Sequence, residues 1–200
     1  MLEIIFRWSG IVLILGAAFL GIAIILMSLK PVINQPLPPV GSILLLLSAI
    51  MLLLSLPFVY ARQANSAGWL GLIGHILLQT GVLLLIVLAA PSLIYPSLKL
   101  TPGENPVVFL LGIALTFGLL LTGIATIRAG IFPRAAGILL LIAMAGFFFD
   151  FFIAEFLPPL AGQVGSALFG VLLALSFIWI GVALWIGKSG PSIVNIFPTH

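Results

Sequence analysis

The sequence predicts an all-α fold, a polytopic membrane protein built as a bundle of six transmembrane helices in a single membrane domain spanning residues 1–200. Three observations carry this. Hydrophobic residues make up 63% of the chain and charged residues 6%, with a mean hydropathy of +1.43, which is far outside the range of a soluble domain. Six apolar stretches each approach the ~20 residues that cross the hydrocarbon core as a helix. Between them stand clusters of Pro, Gly, Asn and Ser, the residues that interrupt helices.

The first predicted span covers residues 8–29. Arg7 precedes it as in a secretory signal, but the run is too long for a signal core and Ser28-Leu29-Lys30-Pro31 is a poor cleavage site. Lys30-Pro31 through Pro38-Pro39 closes it, and the second span follows at 41–60. Asn65-Ser66 marks the next break, ahead of a third span at 69–90. The segment PSLIYPSLKLTPGEN, residues 91–105, is the longest connection; with Tyr95, Lys99 and Glu104 among apolar residues it reads as an interfacial element on the outer surface. The remaining spans are 106–127, 135–157 and 164–186, separated at Phe132-Pro133 and Pro158-Pro159. The tail from Ser189 to His200, with two prolines, reads as irregular.

Basic residues set the orientation. With the amino terminus inside, Arg7, Arg62, Arg128, Arg134 and Lys188 fall on the cytoplasmic side and only Lys30 and Lys99 outside. Trp8, Trp69 and Trp185 then share the inner interface. The reading is a multi-pass protein of the cell membrane with both termini cytoplasmic. The formal charge of +3 arises from seven basic residues scattered along the chain; they form no patch, so nucleic acid is excluded as a partner and the lipid bilayer is the first one. The absence of Cys removes disulfides, thiolate metal sites and cysteine nucleophiles. A shift of 66 positions lays Arg62 on Arg128 and Gly71 on Gly137, and Arg7 and Gly10 repeat the spacing of Arg134 and Gly137. This suggests three repeated hairpins.

Two carboxylates lie in the most apolar passage, FFFDFFIAEFLPP at 147–159. An ionised carboxylate in hydrocarbon costs several kcal/mol unless partnered, hydrated or protonated, so Asp150 and Glu155 are the leading candidates for a site. Asp150 falls in the outer third of its span, on a face with Ala143, Gly146 and Ala154 that small residues mark for close helix approach. Gln163 and Ser166 on the sixth span, Ser28, Ser42 and Lys30 are polar groups at matching depth. Both a structural, hydrogen-bonded Asp and a ligand or proton site fit this placement. Glu155 reads as an interfacial carboxylate. Five residues separate the two acids, about 140° around a helix, which disfavours a dyad.

His75 and Gln79, one turn apart on the third span, form the second polar cluster and read as a helix–helix hydrogen bond or a ligand contact. No second His stands at metal or haem spacing, since His200 lies in the tail. Thr116, Thr122 and Thr126, and the row Gly162, Ser166, Gly170 and Ala174, read as packing seams. No metal, cofactor or catalytic signature is present: phosphate loop, HExxH and GxSxG motifs are all missing.

The stretch GIATIRAGIFPR at 123–134, through Gly123, Arg128, Gly130, Pro133 and Arg134, resembles turns in small six-span bacterial membrane proteins, and this resemblance implies a cytoplasmic turn and no activity. The six-span layout also looks like the substrate-binding membrane components of energy-coupling-factor vitamin transporters in architecture, without a shared motif. Three functions are expected in this order: an accessory or partner-binding subunit, or a binder of an apolar or amphiphilic lipid-like ligand; a small-molecule transporter or substrate-binding membrane component using Asp150; an intramembrane enzyme on a lipid or isoprenoid.

Overall fold

In lipid every backbone N–H and C=O must be bonded within its own segment, so a chain this apolar has helices as its only open-chain solution. The structure, a computed structural model, describes residues 2–33, 40–94, 105–153 and 159–187; the side chains of 2, 29–33, 92, 94, 150, 153 and 159–163 lie outside that description. It is all-helical, with no strand among the described residues. The elements are α1 (Leu2–Ile33), α2 (Val40–Ile94), α3 (Pro106–Ala129), α4 (Arg134–Ile153) and α5 (Pro159–Ile186). The interfacial element expected at 91–105 falls largely outside the described residues, and the tail at 189–200 falls wholly outside them.

Four helices carry stretches long and apolar enough to cross a membrane: Glu3–Ser28, Val40–Pro91, Pro106–Ala129 and Val164–Ile186. The apolar part of α4, Arg134–Phe149, is shorter. The 41–60 and 69–90 stretches both lie in α2, whose 55 residues are two helical arms joined across a kink. Asn65 and Ser66 are helical and break nothing. The interruption is at Gly68, with φ 57° and ψ −157°, a conformation open essentially to glycine alone. The chain folds back there: the rings of Tyr60 and His75 stack with centroids 5.1 Å apart, whereas fifteen residues of straight helix would separate them by about 22 Å.

Helix ends follow local chemistry. Asn105 caps α3 by accepting from the Val107 N–H at 3.0 Å, with Pro106 at the first turn, where its missing N–H costs nothing. Gly130 ends α3 in the left-handed conformation, φ 64°, its N–H bonded to the Thr126 carbonyl. Phe132 in the following turn is buried in the core at 3% exposure, so the GIFPR turn plugs one end of the bundle.

Each helix packs on its chain neighbour, and α5 returns to pack on α1, closing a ring. The seams are antiparallel and are set by glycine. On α1 and α5, Gly10 meets Gly181 and Gly21 meets Ala174; Gly16 of α1 meets Met51 of α2. Past the bend, Gly74 of α2 meets Leu121 and Thr122 of α3, and Gly118 meets Leu78. Gly123 of α3 crosses Gly137 of α4. Between α4 and α5, Gly146 faces the Phe169 ring, and the Ser176 hydroxyl donates to the Ala136 carbonyl at 2.8 Å. Lipid offers no hydrophobic gain for helix association, so close backbone approach at small residues supplies the contact. Leu13, Leu56, Leu78, Leu119, Leu140, Ile180 and Leu184, drawn from both arms of α2 and every other helix, form one core cluster.

Candidate functional site

The ring has two chemically distinct ends. One collects the start of α1, the Gly68 bend, the α3–α4 turn and the end of α5. Arg62 lies over the Phe6 ring at 5.4 Å, Gln63 reaches Thr126, and Gly10 abuts the Trp185 backbone. Arg7, Arg62, Arg128 and Arg134 therefore share this end, along with Trp8, Trp69 and Trp185, which are 64%, 80% and 51% exposed. Lys188, expected here too, lies outside the described residues, as do Lys99 and Glu104, expected on the outer side; the Lys30 side chain is also outside the description.

Just inside the basic end sits a polar cluster. Tyr60 and Gln63 occupy one face of α2 before the bend, and His75 stands one turn beyond Gly71 after it. Gly71 makes room: a Cβ there would meet Ala67, Ala125 at 3.5 Å and Tyr60 at 3.9 Å. His75 is buried, and its contact is the Tyr60 ring, stacked at 21°. Of the two expected roles of His75 and half-buried Gln79, the helix–helix hydrogen bond is not formed by either among the described residues, and His75 instead stacks on a ring across the α2 bend. The polar link to α3 comes instead from Gln63, fully buried, whose Oε1 accepts from Thr126 Oγ1 at 3.5 Å, a long bond. Gln63 escapes sequence reading because it stands beside Arg62 and ahead of Asn65-Ser66, where a loop was expected. Its signal was a polar side chain one turn from Tyr60. Thr126 is thus more than a packing residue. Thr116 and Thr122 keep the buried positions expected of a seam.

The other half of the bundle is aromatic. Gly112 receives the Phe151 ring and Gly146 the Phe169 ring; Phe147 stacks on Phe151 at 5.5 Å, and Phe152 packs against Phe109 and Phe148. Leu88, Val108 and Leu111 form a second apolar cluster there. Asp150 lies in α4, its side chain outside the description. Glu155 lies outside the described residues. Ala143 is fully buried and Gly146 faces α5, so the described part of the expected small-residue face meets a neighbour, while Ala154 lies outside the described residues. Gln163 is in α5, its side chain not described; Ser166 is half-buried and engaged by a neighbour. The α4–α5 register, fixed by Gly146 against Phe169 and Ala136 against Ser176, brings backbone position 150 level with positions 162–165. Gly170 and Ala174, from the same α5 row as Ser166, pack on Ile24 and Gly21 of α1, as a seam should.

Along one face of α5, Val164, Ala167, Leu168, Val171 and Leu172 line a shallow, wide-open apolar groove of ≈ 470 Å³, with all its described lining on this one helix. Its upper edge begins one residue after Gln163. His75 and position 150 lie in opposite halves, roughly 10–15 Å apart along the axis at 1.5 Å per residue, and do not form one site. No three His, Cys, Asp or Glu side chains converge among the described residues. No protein-family model matches the chain, and no curated protein and no solved structure matches it.

Proposed function

We propose that this protein crosses the cell membrane six times, with both termini cytoplasmic, and holds a lipid-like, apolar or amphiphilic molecule against α5 without performing chemistry of its own. Two crossings are assigned to α2, because its 52-residue apolar stretch would extend about 78 Å, more than twice the ~30 Å of hydrocarbon, and it doubles back at Gly68. The four arginines and three exposed Trp residues at one end support placing that end at the cytoplasmic interface. The three-hairpin repeat remains part of this proposal, each hairpin rising from and returning to the basic end. The same apolar exterior suits an accessory role, packed on another membrane subunit.

The α5 groove is the observation that carries the ligand. Its described walls are wholly aliphatic, and it opens beside positions 163 and 166, where the helical register also brings Asp150. An aliphatic chain would lie along Val164–Leu172 with its polar end toward Asp150, Gln163 or Ser166; ligand sites pair apolar walls with a few polar groups in this way. Gentle extraction followed by native mass spectrometry tests it, with Leu168→Trp filling the groove. The expected result is a co-purifying lipid that this substitution removes. A lipid-free protein that instead binds a water-soluble metabolite tightly would favour the second reading, a transporter component using Asp150, which the shared level of positions 150 and 162–165 supports.

A further inference from the structure

At the basic end, Arg62 is half-buried, and its guanidinium rests over the Phe6 ring at 5.4 Å. Phe6 is itself held edge-on by Phe58, with ring centroids 6.3 Å apart at 88°. The guanidinium therefore has a fixed seat between α1 and α2. A guanidinium carried over a ring keeps its five N–H donors, and a planar donor fork of this kind can hold a phosphate in bidentate fashion. Arg7 follows Phe6 directly and is exposed. Glu3, one turn earlier on α1 and the one acid whose side chain is described, is also exposed and forms no ion pair with either arginine.

Two cations linked through Phe6, one seated over its ring and neither ion-paired among the described residues, make a receptor for an anion. We infer that Arg7 and Arg62 bind the phosphate headgroup of an anionic phospholipid. A lipid is the source rather than a soluble anion because Trp8, 64% exposed, stands beside Arg7, and Trp side chains settle at headgroup depth. Basic clusters at this depth attract anionic headgroups. The inference rests on the reading that this end lies at a membrane surface, and it concerns a site at the opposite end from the α5 groove.

The test uses the full-length protein in mild detergent with equimolar phosphatidylglycerol and phosphatidylcholine, read by native mass spectrometry and thermal melting. Retention of phosphatidylglycerol over phosphatidylcholine, reduced by high salt, is expected. Arg62→Gln and Arg7→Gln should each lower that ratio about fivefold, and Arg134→Gln, across the ring, should leave it near the wild-type value. Equal retention of the two lipids by the wild-type protein would overturn the site without reference to any variant. So would an equal loss on Arg134→Gln, which would mean a diffuse basic surface. Stabilisation by inorganic phosphate alone would assign the arginines to a soluble anion and end the lipid proposal. Sidedness does not enter these measurements, so a failed topology assignment and a failed lipid site give separate results.

Discussion

Gly10 and Gly181 cross with their backbones in contact: a Cβ built on Gly10 would stand 2.6 Å from the Gly181 carbonyl oxygen, and one on Gly181 2.8 Å from that of Gly10. The obstructing atoms are main chain and cannot rotate away. Gly10→Ala or Gly181→Ala therefore has to part α1 from α5, at a cost of about 1–3 kcal/mol. Thermal melting in detergent should fall clearly for both, whereas Gly165→Ala, whose nearest obstacle is Phe169 at 4.0 Å, should melt like the parent.

Gly68 presents the opposite case. Nothing lies within 4 Å of its absent side chain, so any penalty for Gly68→Ala is conformational, about 1–3 kcal/mol. Spin labels flanking the bend, on Ala61 and Ser66 of one arm and Ile76 of the other, should report a broader distance distribution. An unchanged distribution with unchanged melting would mean that the bend does not depend on glycine.

His75 stacks on Tyr60 and takes part in no hydrogen bond among the described residues. His75→Phe should retain the stack and melt within about 0.5–1 kcal/mol of the parent, and His75→Ala should lose about 1–3 kcal/mol with the aromatic contact and the space it fills. A His75→Phe protein as unstable as His75→Ala would show that the ring nitrogens matter.

For Asp150, the helical register on the Ala143–Gly146 face predicts a partnered group. Asp150→Asn should preserve stability better than Asp150→Leu, because the amide keeps hydrogen bonds and sheds the charge. Melting unaffected by Leu would exclude a structural clamp.

Single cysteines at Asn65 and Glu104 should label from opposite sides of the membrane, Glu104 from outside. Asn65 stands three residues before the Gly68 bend and is exposed. Labelling of Asn65 from outside would reverse the orientation.

The helical class was legible because an apolar chain in lipid has few alternatives, and the α3 boundaries because Asn105-Pro106 and Gly130 are capping chemistry. The bend falls within the 61–68 gap between the expected spans, but at Gly68 rather than at the Asn65-Ser66 pair. Asn65 and Ser66 tolerate a helix, and only Gly68 adopts the required left-handed φ, a distinction that a list of helix-breaking residues does not make. The polar pair of Gln63 and Thr126 was hidden for a related reason, since helices apolar on every face carry little periodic signal to separate inward positions from lipid-facing ones. Phe132 was hidden as well, being an aromatic in a turn that the fold buries. The glycines, by contrast, were informative: Gly146 and the Gly170–Ala174 row sit at contacts because nothing larger fits there.

The closure of α5 on α1 has a consequence for how the protein is made. Some 126 residues separate the end of α1 at Ile33 from the start of α5 at Pro159, roughly 6–25 s of translation at 5–20 residues per second. Through that interval the Gly10–Gly21 flank of α1 has no mate from its own chain. The growing helices must keep that flank open on one side, like a curved palisade, and a chaperone or lipid that occupied it too firmly would compete with the last-born helix for the same glycines.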